Sequence, residues 1–104
     1  MMTQEMLERK NALNKDWVDA GDGYYRLQGT FYAPIMYIAI PVDHPLVKIT
    51  EEDGIAINVN GGVTFKEGNV IGWDYGHFEN MYDFDGDFER ALEYCKTYME
   101  LKNT

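Results

Sequence analysis

An α+β fold is what this sequence predicts: one antiparallel sheet of four to five strands, with an N-terminal and a C-terminal helix. Three observations carry the prediction. Short strand-like runs at residues 24–27, 35–40, 55–59, 63–65 and 70–75 follow one another with no helical period between them. Helical apolar spacing occurs only at the two ends. A chain of 104 residues with 45% hydrophobic side chains is long enough to bury one core and too short for two, so residues 1–104 are read as a single domain. Within it, residues 1–20 form a helical extension and residues 24–102 hold the sheet and the closing helix.

The first helix is expected over residues 3–20. Thr3 can cap it, Met6, Leu13 and Trp17 recur on one side, and Gly21 stops it. The stretch 19–23, Asp-Ala-Gly-Asp-Gly, is a turn-rich break before the strand at 24–27. The run 35–40 is apolar at every position and bracketed by Pro34 and Pro41, the mark of a strand buried on both faces. Residues 41–54 read as a loop holding Pro41, His44, Pro45 and the acidic cluster Glu51, Glu52 and Asp53. Ile55, Ile57 and Val59 alternate with Ala56 and Asn58, which predicts a half-buried strand. Residues 63–65 and 70–75 form a hairpin around Lys66-Glu67-Gly68, with Gly68 in the left-handed position. The last helix begins near Asp87, capped by Asp85 or Asp87; Phe88, Ala91, Leu92, Cys95 and Met99 form its buried face, and Glu89, Arg90, Glu93, Lys96 and Glu100 its wet one.

Charge narrows the function. Eighteen acidic residues against nine basic ones give −9, and Lys and Arg are scattered apart from Arg9-Lys10. No basic stripe is present to follow a phosphate backbone, so direct nucleic-acid binding is not expected. No run approaches the ~20 apolar residues of a membrane span. The start lacks the basic-then-apolar pattern of a signal peptide, and the single Cys95 fits a reducing compartment; a cytoplasmic protein is expected.

Candidate site residues gather in two places. Asn60, Gly61 and Gly62 precede the hairpin, where glycines admit close approach of a ligand or a backbone. Trp73, Asp74, Tyr75 and His77 end its second strand, and with Phe78 they suit a slot for a planar ring. Asp74 can orient the His77 imidazole, or His77 can simply close the strand with a backbone hydrogen bond. His44 either faces a ligand or fixes an extended His-Pro turn. Metal and cofactor are not expected: no H-x-x-x-H, C-x-x-C or H-E-x-x-H spacing occurs. Residues 83–89 (DFDGDFE) fail as a calcium loop, since Gly86 falls fourth and no Glu follows at twelve. Cys95 on the apolar helix face is read as a buried thiol.

The elements IPVDHPL (40–46), NVNGGVTF (58–65), IGWDYGH (71–77) and LEYCKTYMEL (92–101) resemble a family of small tailed-phage and prophage proteins. Its members share an HPL loop, an HGGLTY-like strand start, a GFDxxH strand end and a closing helix with an E-x-C element. Two positions depart: Asn60 stands where the family has His, and Asn80 where an Asp is common. The resemblance implies a phage origin and a role directed at the host. Joined to the residue reading, it gives three expectations. The first is a non-catalytic protein countering host defence inside the bacterial cell, sequestering a nucleotide-derived signal through His44, Asn60, Gly61, Gly62, Trp73, Asp74, Tyr75 and His77, as a homo-oligomer. The second is an acidic protein–protein inhibitor mimicking nucleic acid; the third is a small hydrolase using Asp74 and His77.

Overall fold

The computed structural model describes residues 17–30, 34–49, 54–76 and 82–102. Its fold is α+β: a five-stranded antiparallel sheet with one helix packed on it. The strands are β1 (Val18–Gly21), β2 (Tyr24–Thr30), β3 (Pro34–Ala39), β4 (Phe65–Glu67) and β5 (Val70–Asp74), in spatial order β1-β2-β3-β5-β4. A short 3₁₀ turn, Pro45–Lys48, follows β3, and helix α1 spans Phe84–Lys102.

Period-two alternation decides what each face carries. Arg26, Ile38, Ile71 and Lys66 lie abreast across four strands, and Leu27, Tyr37, Gly72 and Phe65 belong to the opposite face. On the first face Met36, Ile38, Ile40, Ile71 and Trp73 pack against Phe88, Ala91 and Cys95 of α1. The other carries a smaller cluster of Trp17, Leu27, Tyr37, Ala39 and Val70. β3 is buried from Met36 onward, as its unbroken apolarity requires.

The elements differ from the expected ones at several points. Residues 18–20, assigned to a first helix, form strand β1; residues 3–16 of that helix lie outside the described residues. Gly21, Asp22 and Gly23 all take positive φ (90°, 54° and 86°) and fold the chain back, so Val18–Gly21 pairs with β2. The hairpin is present, but Lys66 and Glu67 belong to its first strand, and the turn is Gly68-Asn69 with φ +57° at Gly68. A glycine at the first central position of a two-residue loop is what a type II′ turn uses. Val63 precedes the strand.

Residues 55–59 do alternate, with Ile55, Ile57 and Val59 buried in the core, yet they join no strand ladder among the described residues. β5 already has β3 on one side and β4 on the other. The segment is laid over the sheet face beside α1, and its amides turn inward on themselves: Val59 N–H donates to the Ile57 carbonyl (3.1 Å) and Gly62 N–H to Val59 (2.9 Å).

Helix α1 starts earlier than expected. Asp83, not Asp85 or Asp87, is its N-cap: its Oδ1 accepts from Gly86 N–H (3.0 Å), and its carbonyl accepts from Asp87 N–H. The buried face is Asp87, Phe88, Ala91 and Cys95, while Leu92 and Met99 are only half-buried because they lean to the edge of the sheet contact. No described helix is long and apolar enough to cross a membrane.

Candidate functional site

The segments 40–46, 58–65, 71–76 and 92–101 come together in two pairs. The His-Pro-Leu loop meets the Glu-x-Cys helix. His44 is 2% exposed and caps the 3₁₀ turn, its Nδ1 accepting from Leu46 N–H (3.0 Å). With Nδ1 an acceptor, Nε2 carries the ring proton, and it donates to the Cys95 carbonyl (2.7 Å). Tyr98 stacks on the ring at 6.1 Å and Tyr24 meets it edge-on at 6.2 Å. The imidazole is therefore a structural clasp between loop and helix, the second of the two readings open to it. Beneath it Cys95 is fully buried, and burial pushes its thiol up to about 12, far from nucleophile chemistry.

The second pair joins the residues before β4 to the end of β5. Thr64 N–H donates to the Gly72 carbonyl (2.9 Å), and Thr64 Oγ1 donates to Asp74 Oδ2 (3.3 Å). Asp74 Oδ1 accepts from Gly76 N–H (3.1 Å), a local turn of the kind aspartate makes at strand ends. His77, Phe78 and Asn80 lie outside the described residues. Both oxygens of Asp74 thus serve the backbone turn and the neighbouring threonine.

Trp73 and Tyr75 do not line an open slot. Each is 1% exposed, and they are linked in a buried chain. Trp73 Nε1–H donates to Tyr75 Oη (3.0 Å), Tyr75 Oη–H donates to Asp87 Oδ2 (2.6 Å), and Arg90 Nη2 pairs with Asp87 Oδ1. Burial first, and then the bond to Asp87, hold the Tyr75 phenol well above its ordinary value. Indole and phenol rings this large fill the space under α1, and the hydrogen bonds that permit their burial tie them there.

Concave surface lies instead along the seam between residues 54–61 and α1. A polar hollow of about 340 Å³ is lined by Asn58, Asn60, Gly61, Asp83, Asp87 and Arg90. So Asn60 and Gly61 do reach a cleft, in company the sequence did not suggest, while Gly62, His44, Trp73, Asp74 and Tyr75 do not line it. Beside it runs a larger and mainly apolar groove of about 550 Å³, walled by Ala56, Asn58, Tyr94, Thr97, Tyr98 and Leu101 and edged by Arg90 and Glu93. Tyr94 and Tyr98 stack at 6.1 Å, and Leu101 is 70% exposed. Arg90 joins the two hollows. Its Nε donates to the Asn58 carbonyl (2.8 Å), and its other nitrogens face Asp87 and Asp83, the latter at 4.0 Å.

The local charge follows. Arg90 already has two carboxylates, and Glu93 adds a third, so an anion placed here meets net negative charge. Among the described residues, no group of three His, Cys, Asp or Glu side chains is placed to hold a metal. Sequence reasoning assigned Arg90 to solvent and passed over Tyr94, Thr97, Tyr98 and Leu101. Their spacing of three and four residues, beside the stripe of Phe88, Ala91 and Cys95, is the signal that the helix has more apolar width than the sheet covers. Comparison with protein-family models, curated proteins and solved structures finds no match to this chain.

Proposed function

We propose that this chain is a non-catalytic binding protein that acts against a host protein, in keeping with the host-directed role its phage-family resemblance implies. The observation that carries this reading is the groove beside α1: it is open, largely apolar and edged by Glu93, and its one arginine is already paired with the carboxylates of the adjoining polar hollow. A surface of that kind recognises apolar and cationic groups. Of the ligand classes the sequence suggests, a nucleotide-derived signal fits less well, because phosphates in the groove would meet Glu93, and in the adjoining hollow Asp83 and Asp87, while the one arginine lining both is already paired. The hydrolase reading leans on Asp74, whose carboxylate is engaged by Gly76 and Thr64.

Calorimetry against linear and cyclic nucleotides, paired with affinity capture from host cells at rising salt, tests the proposal. Expected are no heat from any nucleotide at high excess and a captured host protein that is released as salt screens the charges. Saturable binding of a nucleotide at micromolar concentration transfers the function to signal sequestration and overturns the protein-partner reading.

A further inference from the structure

The groove beside α1 has two walls of different kinds. One is a helix stripe with the side chains of Tyr94, Tyr98 and Leu101; the other is formed by Ala56 and Asn58, whose exposure alternates with buried Ile55, Ile57 and Val59 as in an extended chain. That backbone is unlike the rest of the sheet region. Among the described residues, the N–H and C=O of Ala56 enter no hydrogen bond. The carbonyl of Asn58 points across the seam to Arg90 Nε on α1. In an extended chain, residues two apart turn their amide groups to the same side, so those of Ala56 face the groove as well. The unpaired N–H and C=O of Ala56, at an exposed position, offer a point at which a further strand can pair.

The rim supplies the chemistry of the occupant. Glu93 edges the groove, Glu89 and Glu100 are exposed beside it on the same side of α1, and none of the three has an ion-pair partner among the described residues. Of the cations on the same helix, Arg90 pairs with Asp83 and Asp87 and Lys96 with Asp22 at 3.0 Å, while Lys102 lies over the Tyr98 ring at 5.6 Å, on the side of the groove away from the glutamates.

We infer that the groove takes an extended lysine- or arginine-bearing segment of a protein partner, laid along residues 55–58 with its apolar side chains against Tyr94, Tyr98 and Leu101. Alternation does the sorting. In a strand added at Ala56, every second side chain points to the apolar floor, and those between reach the glutamates of the rim. A helical occupant would leave Ala56 unpaired, and an anionic one would meet the glutamates. The inference rests on the protein-partner reading above and specifies its site and its chemistry.

The experiment uses the full chain and three synthetic probes. One is a short peptide alternating lysine with leucine and valine; the second replaces each lysine with glutamate; the third is the lysine peptide N-methylated at alternate amides. Backbone amide NMR locates binding, and fluorescence anisotropy measures it. The lysine peptide should shift the Ala56 and Leu101 amides, and its affinity should fall about tenfold between roughly 20 and 300 mM salt. Its N-methylated form and the glutamate peptide should bind on the order of tenfold more weakly or not at all. Leu101→Glu and Glu93→Lys, at exposed positions of α1, should each weaken binding about tenfold, with far-ultraviolet dichroism unchanged. Equal binding of the glutamate or N-methylated peptide, or shifts confined to another surface, overturns the inference. If the lysine peptide fails while a captured host protein still binds Glu93→Lys, the groove assignment falls and the binding-protein reading stands. If nucleotides bind and no protein does, both fall.

Discussion

Replacing Tyr75 with Phe removes a single oxygen atom from the centre of the protein, and the structure gives the cost. That oxygen does two jobs: it donates to the Asp87 carboxylate at 2.6 Å and accepts from the Trp73 indole N–H at 3.0 Å. The first is a hydrogen bond to a charged group, worth about 1.5–3 kcal/mol. Losing the second leaves a buried N–H without an acceptor, worth about 1–3 kcal/mol. Phenylalanine returns a little through easier desolvation, so Tyr75→Phe should destabilise the fold by about 2–4 kcal/mol, a large share of the roughly 5–15 kcal/mol of a small domain. Urea unfolding at neutral pH, read as a shift in midpoint at constant slope, measures this. A double-mutant cycle with Asp87→Ala isolates the pair and should show coupling of about 1 kcal/mol or more. A loss under about 0.5 kcal/mol, or strict additivity, would refute the claim that the buried chain stabilises the protein.

Other consequences are equally open to measurement. At Gly72 an added Cβ would sit 2.6–2.7 Å from two carbons of the Tyr37 ring and 3.3 Å from the Met36 carbonyl; Gly72→Ala should therefore cost about 1–3 kcal/mol in a thermal melt, partly recovered by Tyr37→Leu. Phe88 is buried and Leu92 half-buried, so chemical denaturation should give about 3–5 kcal/mol for Phe88→Ala and under about 2 kcal/mol for Leu92→Ala; equal losses would contradict the packing. Alkali should unfold the protein. Burial raises Cys95 and Tyr24 to about 12 in the folded state, and Tyr75 is raised as well, whereas the unfolded chain releases these protons from about pH 9 (thiol) and 10 (phenols). The folded state then holds more protons, so stability is fully present below pH 9 and is lost toward pH 12, by up to about 1.4 kcal/mol per unit for each group. Unfolding midpoints against pH check this, and Cys95→Ala should remove the part of the fall that begins near pH 9.

Much of the fold was legible because period two and turn glycines report directly on local geometry. The apolar run of β3 and the hairpin of β4 and β5 follow from them. Where reading failed, two structures shared one pattern. Alternation at Ile55, Ile57 and Val59 reports that one face of an extended chain is buried; it does not say that the backbone has a ladder partner. Val18, next to a helically spaced Trp17, belongs to a strand because three successive positive-φ residues reverse the chain just after it. With Asp83, Asp85 and Asp87 in one short run, composition alone cannot choose the cap; the bond to Gly86 does. The candidate site was less legible. Its residues are distant in sequence, and Tyr94, Tyr98 and Leu101 look like core positions until the width of the sheet under α1 is known.

The interposition of β5 between β3 and β4 has a consequence for how the chain reaches this state. β1, β2 and β3 form a meander of local pairings, and β4–β5 is a local hairpin, but their union closes a loop of roughly thirty residues, at a cost of about 3 kcal/mol in chain entropy. These should be separate early units, with docking of the hairpin the slow step. Until it docks, β3 presents Ile35, Met36, Tyr37, Ile38 and Ala39 along an open edge, the most apolar such edge in the described sheet. An edge of this composition invites pairing between chains. Pro34 and Pro41, which flank it, cannot donate to a growing ladder and so cap the exposed stretch at both ends. The two prolines should thus matter most during synthesis and refolding, before the native sheet exists: Pro34→Ala and Pro41→Ala are expected to raise aggregation on refolding, read by light scattering, more than they lower native stability.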